Sequence, residues 1–215
     1  MADARKRVAV LISGRGSNLG ALIDAAAASD YPAEVALVIS NVPDAAGLIR
    51  ARQSGIPAAI IDHRQYETKA AFEDAIDAGL GQAGIDLICL AGFMRLLSAK
   101  FVEAWRDRIL NIHPSLLPLF PGLNTHARAL AAGVREHGAS VHFVRAATDQ
   151  GPIVAQAKVP VRAGDTADVL AARVLEAEHR LYPYALRLVA SGKASVVGDS
   201  VMIADDKAGN MAAKL

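Results

Sequence analysis

Short runs of β-branched and aliphatic residues alternate along this chain with Ala-rich segments whose apolar positions recur three and four apart. The first pattern reads as strand and the second as amphipathic helix. Strands are predicted at 8–12, 34–40, 58–61, 86–91 and 109–112, and helices between them at 18–28, 45–53, 69–83 and 99–105. Such alternation builds βαβ units, whose connections are right-handed, and so predicts an α/β fold: a doubly wound, mostly parallel twisted sheet with helices on both faces. After residue 112 the pattern changes. Residues 113–122 hold three prolines and one glycine, which predicts an irregular loop. Strands resume at 140–144 and 154–161 without a good helix between them, which predicts an antiparallel extension in the C-terminal part. A long helix follows at 166–190, capped by Asp165 or Thr166 and carrying Pro183, then a strand or hairpin at 195–203 and a frayed tail from 204.

The 215 residues suit one large domain, with an N-terminal half at about 1–108 and a C-terminal half at about 109–203. Hydrophobic residues make up 53% and charged residues 21%, a globular balance. A net charge of +1 offers no footprint for a polyanion, so neither nucleic acid nor an anionic membrane is an expected partner. The single cysteine, Cys89, sits in an apolar run and is expected to be buried, and with no partner for a disulfide it points to a reducing compartment. The apolar run after the first residues is too short for a signal-peptide core, and none elsewhere nears the roughly 20 residues that cross a bilayer, so the expected location is cytoplasmic.

Directly after the first predicted strand comes Ser13-Gly14-Arg15-Gly16-Ser17-Asn18-Leu19. Glycines let a ligand approach the backbone, and the helix start offers N–H groups and a favourable dipole to an anion, so a phosphate fits. The dinucleotide fingerprint fails at Leu19, and no acidic residue ends the second strand. The Walker pattern fails too, for want of a Gly-Lys-Ser/Thr. A plain strand-to-helix turn remains the competing explanation.

Asn111 and His113 stand two apart at the carboxyl end of a predicted strand, so both side chains leave one face at the edge where open α/β sheets bind ligands. An amide beside an imidazole suits oxyanion stabilisation with proton transfer, while a lone His beside an Asn is more often structural and the flanking prolines also suit an ordinary rigid turn. Asp149, in Thr148-Asp149-Gln150-Gly151-Pro152, is the only carboxylate between Glu136 and Asp165. Near His113 it would favour the imidazolium; a simple turn aspartate explains it equally well.

The chain resembles the glycinamide ribonucleotide formyltransferase family of folate-dependent formyltransferases over about its first 190 residues. The resemblance is carried by Ile12 to Leu19, by Leu90-Ala91-Gly92-Phe93-Met94-Arg95-Leu96-Leu97, by Asn111-Ile112-His113-Pro114-Ser115-Leu116-Leu117-Pro118, by Gly138 to Val144 and by Asp149 to Ile153. It implies formyl transfer from 10-formyltetrahydrofolate to the amine of glycinamide ribonucleotide, with Asn111, His113 and Asp149 as the catalytic trio. Asn111 and a protonated His113 would stabilise the oxyanion, and Asp149 would keep His113 charged. Gly16, Ser17 and Asn18 would receive the substrate phosphate, and Glu178 the ribose. Lys69, Met94, Arg95, Leu96, Leu97, Asn111, Arg145, Ala146, Ala147, Thr148 and Asp149 would line the folate pocket, mostly through backbone groups. Lys69 stands where the family pattern has Arg, and Asn124 where it often has His. No metal is implied, and the protein would be a monomer or homodimer.

Of the other histidines, His126 is expected to begin a helix beside the site, while His137 and His142 lack the companions of a metal cluster. Trp105 and Phe101 read as core and Arg50, Arg52 and Arg64 as solvated. Methionyl-tRNA formyltransferases share the Asn-His loop but need a further nucleic-acid-binding domain and a basic surface. A formyltetrahydrofolate hydrolase would carry a regulatory domain ahead of Val8. A non-catalytic nucleotide-binding module would explain the glycine loop and leave the trio without a purpose.

Overall fold

A computed structural model describes residues 5–204, so the tail expected from 204 on lies, after its first residue, outside the described residues. The chain divides into two compact units, Met1–Leu110 and Asn111–Leu215.

The first unit contains β1 (Lys6–Ile12), α1 (Ser17–Ala26), β2 (Ala33–Ser40), α2 (Ala46–Gln53), β3 (Ala58–Ile60), α3 (Lys69–Gln82), β4 (Leu87–Leu90) and α4 (Ala99–Ala104). Its strands run in the order β3-β2-β1-β4, with the pairs β1/β2, β1/β4 and β2/β3 parallel. Val8, Ala9, Val10, Leu11 and Ile12 are all 0% exposed. Successive strand residues point to opposite faces, so β1 is covered on both, as a parallel sheet between helices requires. Cys89, Phe101 and Trp105 are buried as expected. Helices α3 and α4 are capped by the hydroxyls of Thr68 and Ser98, while a short 3-10 turn at His63–Gln65, which the periodicity did not announce, forms where Asp62 accepts from the Arg64 amide.

The division between the units falls inside β5 (Ile109–His113). The second unit holds β6 (Glu136–Phe143) and β7 (Ile153–Pro160) in the order β5-β6-β7, together with α5 (Thr125–Ala131), α6 (Ala167–Ala190) and the antiparallel hairpin β8 (Ala194–Val197)/β9 (Ser200–Ile203). Strands β6 and β7 are antiparallel, as expected, with a register shift between Val141 and His142. Thr166, not Asp165, caps α6, accepting from the Val169 amide at 3.3 Å. Leu170, Val174, Ala177, Leu181, Ala185 and Leu188 form the buried stripe of α6, which lies on β6 and β7. Each buried Leu or Val there contributes about 1.5–3 kcal/mol of transfer free energy. The seven strands are thus mostly parallel and interleaved with helices, with a separate two-stranded antiparallel sheet, and the class is α/β.

Candidate active site

In the second unit β5 delivers Asn111 and His113 from its carboxyl end, and the turn after β6 delivers Asp149. His113 is 6% exposed, with Nδ1 at 3.4 Å from Asp149 Oδ2 and Nε2 at 3.0 Å from the Phe120 carbonyl. Both ring nitrogens therefore face oxygen atoms, Nδ1 a carboxylate and Nε2 a carbonyl. Asp149 holds a left-handed backbone, φ 55, which Asp tolerates better than most residues. The turn reading was therefore sound, and the same turn aims the carboxylate at His113.

His142 completes the cluster, and no sequence signal had assigned it a role. Its Nδ1 lies 3.0 Å from the Phe143 carbonyl, its Nε2 3.2 Å from Asn111 Nδ2 and 3.7 Å from Asp149 Oδ1. Burial lowers its pKa, with repulsion from His113 in the same direction and the Phe143 carbonyl and Asp149 opposing. A neutral ring with its proton on Nδ1 satisfies this geometry: Nδ1–H donates to Phe143 and Nε2 accepts one of the two amide hydrogens of Asn111. The orientation of the Asn111 amide is thereby set.

The Pro-rich segment between His113 and Gly122 is irregular, as predicted, yet firmly wired. Ser115 Oγ donates to Leu119 O at 2.6 Å, the Leu117 amide donates to Ser140 Oγ at 3.0 Å, and Gln156 Nε2 donates to Leu117 O at 2.9 Å. The segment returns to the trio at its end, where the Gly122 amide donates to Asp149 Oδ2 at 2.8 Å. Behind it lies a second histidine pair: His137 Nε2 is 3.2 Å from His126 Nδ1, and Phe120 meets the His137 ring edge-on. His126 is the second residue of α5, close to where a helix start was expected.

Of the other second-unit candidates, Glu178 lies on α6 and is buried, Ala146, Ala147 and Thr148 are exposed, and Arg145 Nη1 donates to its neighbour's carbonyl, Val144 O, at 3.1 Å.

In the first unit Gly16 precedes α1 with φ 71, no side chain caps this helix end, and no acidic residue occupies its first turn. An anion at Gly16, Ser17 and Asn18 would meet the positive end of the helix unopposed. Ser13 ties this loop to the segment after β4: its Oγ donates to Asn41 Oδ1 at 2.5 Å and accepts the Met94 amide at 2.8 Å. The Met94 amide is thus already committed, while the Met94 and Leu96 side chains are 67% and 70% exposed. Leu97 is half-buried and Arg95 exposed. Lys69 opens α3 with Nζ 3.8 Å from Glu73 Oε1, and Glu73 in turn holds the Ser98 amide at 2.6 Å and the Ser98 hydroxyl. Lys69 therefore reaches the end of the 94–97 segment through Glu73. Among the described residues no group of three or more His, Cys, Asp or Glu is placed to hold a metal ion.

Residues 6–186 match the formyl transferase family. The chain is 45% identical to the phosphoribosylglycinamide formyltransferase of Haemophilus influenzae, over 94% of this chain and 95% of that one. It is 52% identical to the trifunctional purine biosynthetic protein adenosine-3 of Gallus gallus, over 88% of this chain but only 19% of that protein's length. Among solved structures, the glycinamide ribonucleotide transformylase 1 of Symbiobacterium toebii superimposes with a TM-score of 0.91 at 48% identity, over 94% of this chain and 95% of that one.

Proposed function

The chain belongs to the formyl transferase family, and from that premise we propose that it transfers the formyl group of 10-formyltetrahydrofolate to the primary amine of glycinamide ribonucleotide. The products are N-formylglycinamide ribonucleotide and tetrahydrofolate, and the step belongs to purine biosynthesis. The observation that carries this reading is the cluster in which Asp149 faces His113 and His142 holds the Asn111 amide.

The amine nitrogen attacks the formyl carbon, forming the new C–N bond and placing negative charge on the formyl oxygen. Asn111, through its second amide hydrogen, and the His113 imidazolium stabilise that charge. For Nε2 of His113 to serve the substrate it must exchange its bond to Phe120 O, while Asp149 keeps Nδ1 anchored. Collapse breaks the bond between the formyl carbon and N10 of the folate, and the proton lost by the amine is returned to N10, with His113 and Asp149 as the relay. Gly16, Ser17 and Asn18 receive the substrate phosphate and Glu178 the ribose. The folate is received by Lys69, the Met94 to Leu97 segment, Asn111 and residues 145–149; the exposed side chains of Met94 and Leu96 supply apolar surface for it.

Purified protein given glycinamide ribonucleotide and 10-formyltetrahydrofolate should release tetrahydrofolate in step with the formylated product. Folded protein that shows no turnover with this pair would overturn the proposal.

A further inference from the structure

Helix α2 begins with Ala46-Gly47-Leu48, and Gly47 needs a separate explanation. A glycine inside a helix weakens it relative to alanine, and Gly47 is absent from the residues with positive φ, so no unusual dihedral requires it. What requires it is the glycine loop. A Cβ at Gly47 would meet Ile12 Cδ1 at 2.5 Å, the Gly16 Cα at 3.2 Å and the Gly14 carbonyl oxygen at 3.4 Å. A Cβ at Gly16 would meet the Gly47 Cα at 2.7 Å. The two backbones touch because neither residue carries a side chain.

A hydrogen bond fixes the same contact. Ala45, the residue preceding α2, offers no side-chain cap, and the Gly47 amide, one of the helix's otherwise unsatisfied first-turn donors, is donated to Gly14 O at 3.1 Å. A trans peptide unit points its C=O and the following N–H in opposite directions. Drawing the Gly14 carbonyl to α2 therefore turns the Arg15 amide away from α2, and the steric contact sets the position of Gly16 next to it.

We propose that Gly47 is a positioning residue for substrate phosphate, bracing the loop so that its amides are oriented before the ligand arrives. This rests on the reading of Gly16 to Asn18 as the phosphate site. Gly47→Ala forces the Gly16 backbone away from α2, and KM for glycinamide ribonucleotide should rise roughly tenfold or more while kcat and the KM for 10-formyltetrahydrofolate stay within about a factor of two. Gly79→Ala, in α3, is the control, because its Cβ meets nothing nearer than Ile39 Cδ1 at 4.0 Å; its kinetics should match the wild type.

Adding Ile12→Val to Gly47→Ala removes Cδ1, the flexible part of the clash, and leaves both backbone contacts. Thermal stability should recover and the raised KM should persist. Recovery of both would mean that Gly47 matters only for packing and would sink the inference. The double variant also serves if Gly47→Ala alone does not fold. In the wild type, titration with inorganic phosphate should shift the Gly47 amide resonance together with those of Gly16 to Asn18, and a Gly47 amide that stays put while those move would refute the brace independently of any variant. Gly16→Asp separates the two layers of the argument. If it leaves the affinity for glycinamide ribonucleotide unchanged, the phosphate site itself is elsewhere. If it abolishes that affinity while folded Gly47→Ala binds normally, only the role of Gly47 falls.

Discussion

His137 is 0% exposed in β6, and burial, reinforced by His126 and His113, lowers its pKa to about 4 against the Pro114 carbonyl's opposing pull. In the unfolded chain the same ring titrates near 6.5. Between these values the unfolded state holds a proton that the folded state does not, so stability rises with pH there, by up to about 1.4 kcal/mol per pH unit. The contribution is fully present above 6.5 and is lost as the pH falls toward 4. The whole gap corresponds to about 3 kcal/mol, a large share of a typical folding free energy. His126, lowered first by burial and then by His113, acts with the same sign. His137→Gln keeps a polar side chain without the titration. Urea unfolding near pH 7.5 and near pH 4.5 should show the wild type losing about 2 kcal/mol more than the variant, since carboxylate effects are common to both. Equal losses within about 0.5 kcal/mol would refute the reasoning and mean that the pair is protonated in the folded protein or screened by water.

Two further outcomes concern the trio. Asp149→Asn keeps the shape of the side chain but removes the charge that faces His113 Nδ1 at 3.4 Å and the Gly122 amide at 2.8 Å, so kcat should fall about 100-fold or more with folding intact; steady-state kinetics showing a loss of only a few-fold would remove Asp149 from the catalytic role. His142→Phe takes away the acceptor of the Asn111 amide, so kcat should fall about tenfold or more while His142→Gln restores part of it; a phenylalanine variant with wild-type kcat would show that Asn111 is oriented by something else.

How far the sequence carried these conclusions depends on whether the relevant signal was local. Strands β1 to β5 fall within two residues of their expected ends because their apolar runs are continuous, as covered parallel strands must be. Strand β6 begins at Glu136, four residues before expectation, because Glu136-His137-Gly138-Ala139 has no β-branched residue. Gly138 is there because a Cβ would overlap the Ala157 carbonyl oxygen of β7, a reason that exists only once the strands pair. The same distinction separates the members of the site. Asn111 and His113 share a strand face by periodicity alone, and Asp149 could be singled out by the absence of other carboxylates around it. His142 carries no such mark: its importance comes from the packing of β6, which sets Nε2 against Asn111 and Asp149 while Phe143's own carbonyl fixes Nδ1. A histidine read singly from a strand is indistinguishable from core. What ties it to the candidate site is a neighbour 31 residues away in the chain, and only three-dimensional structure or a family motif can supply that neighbour.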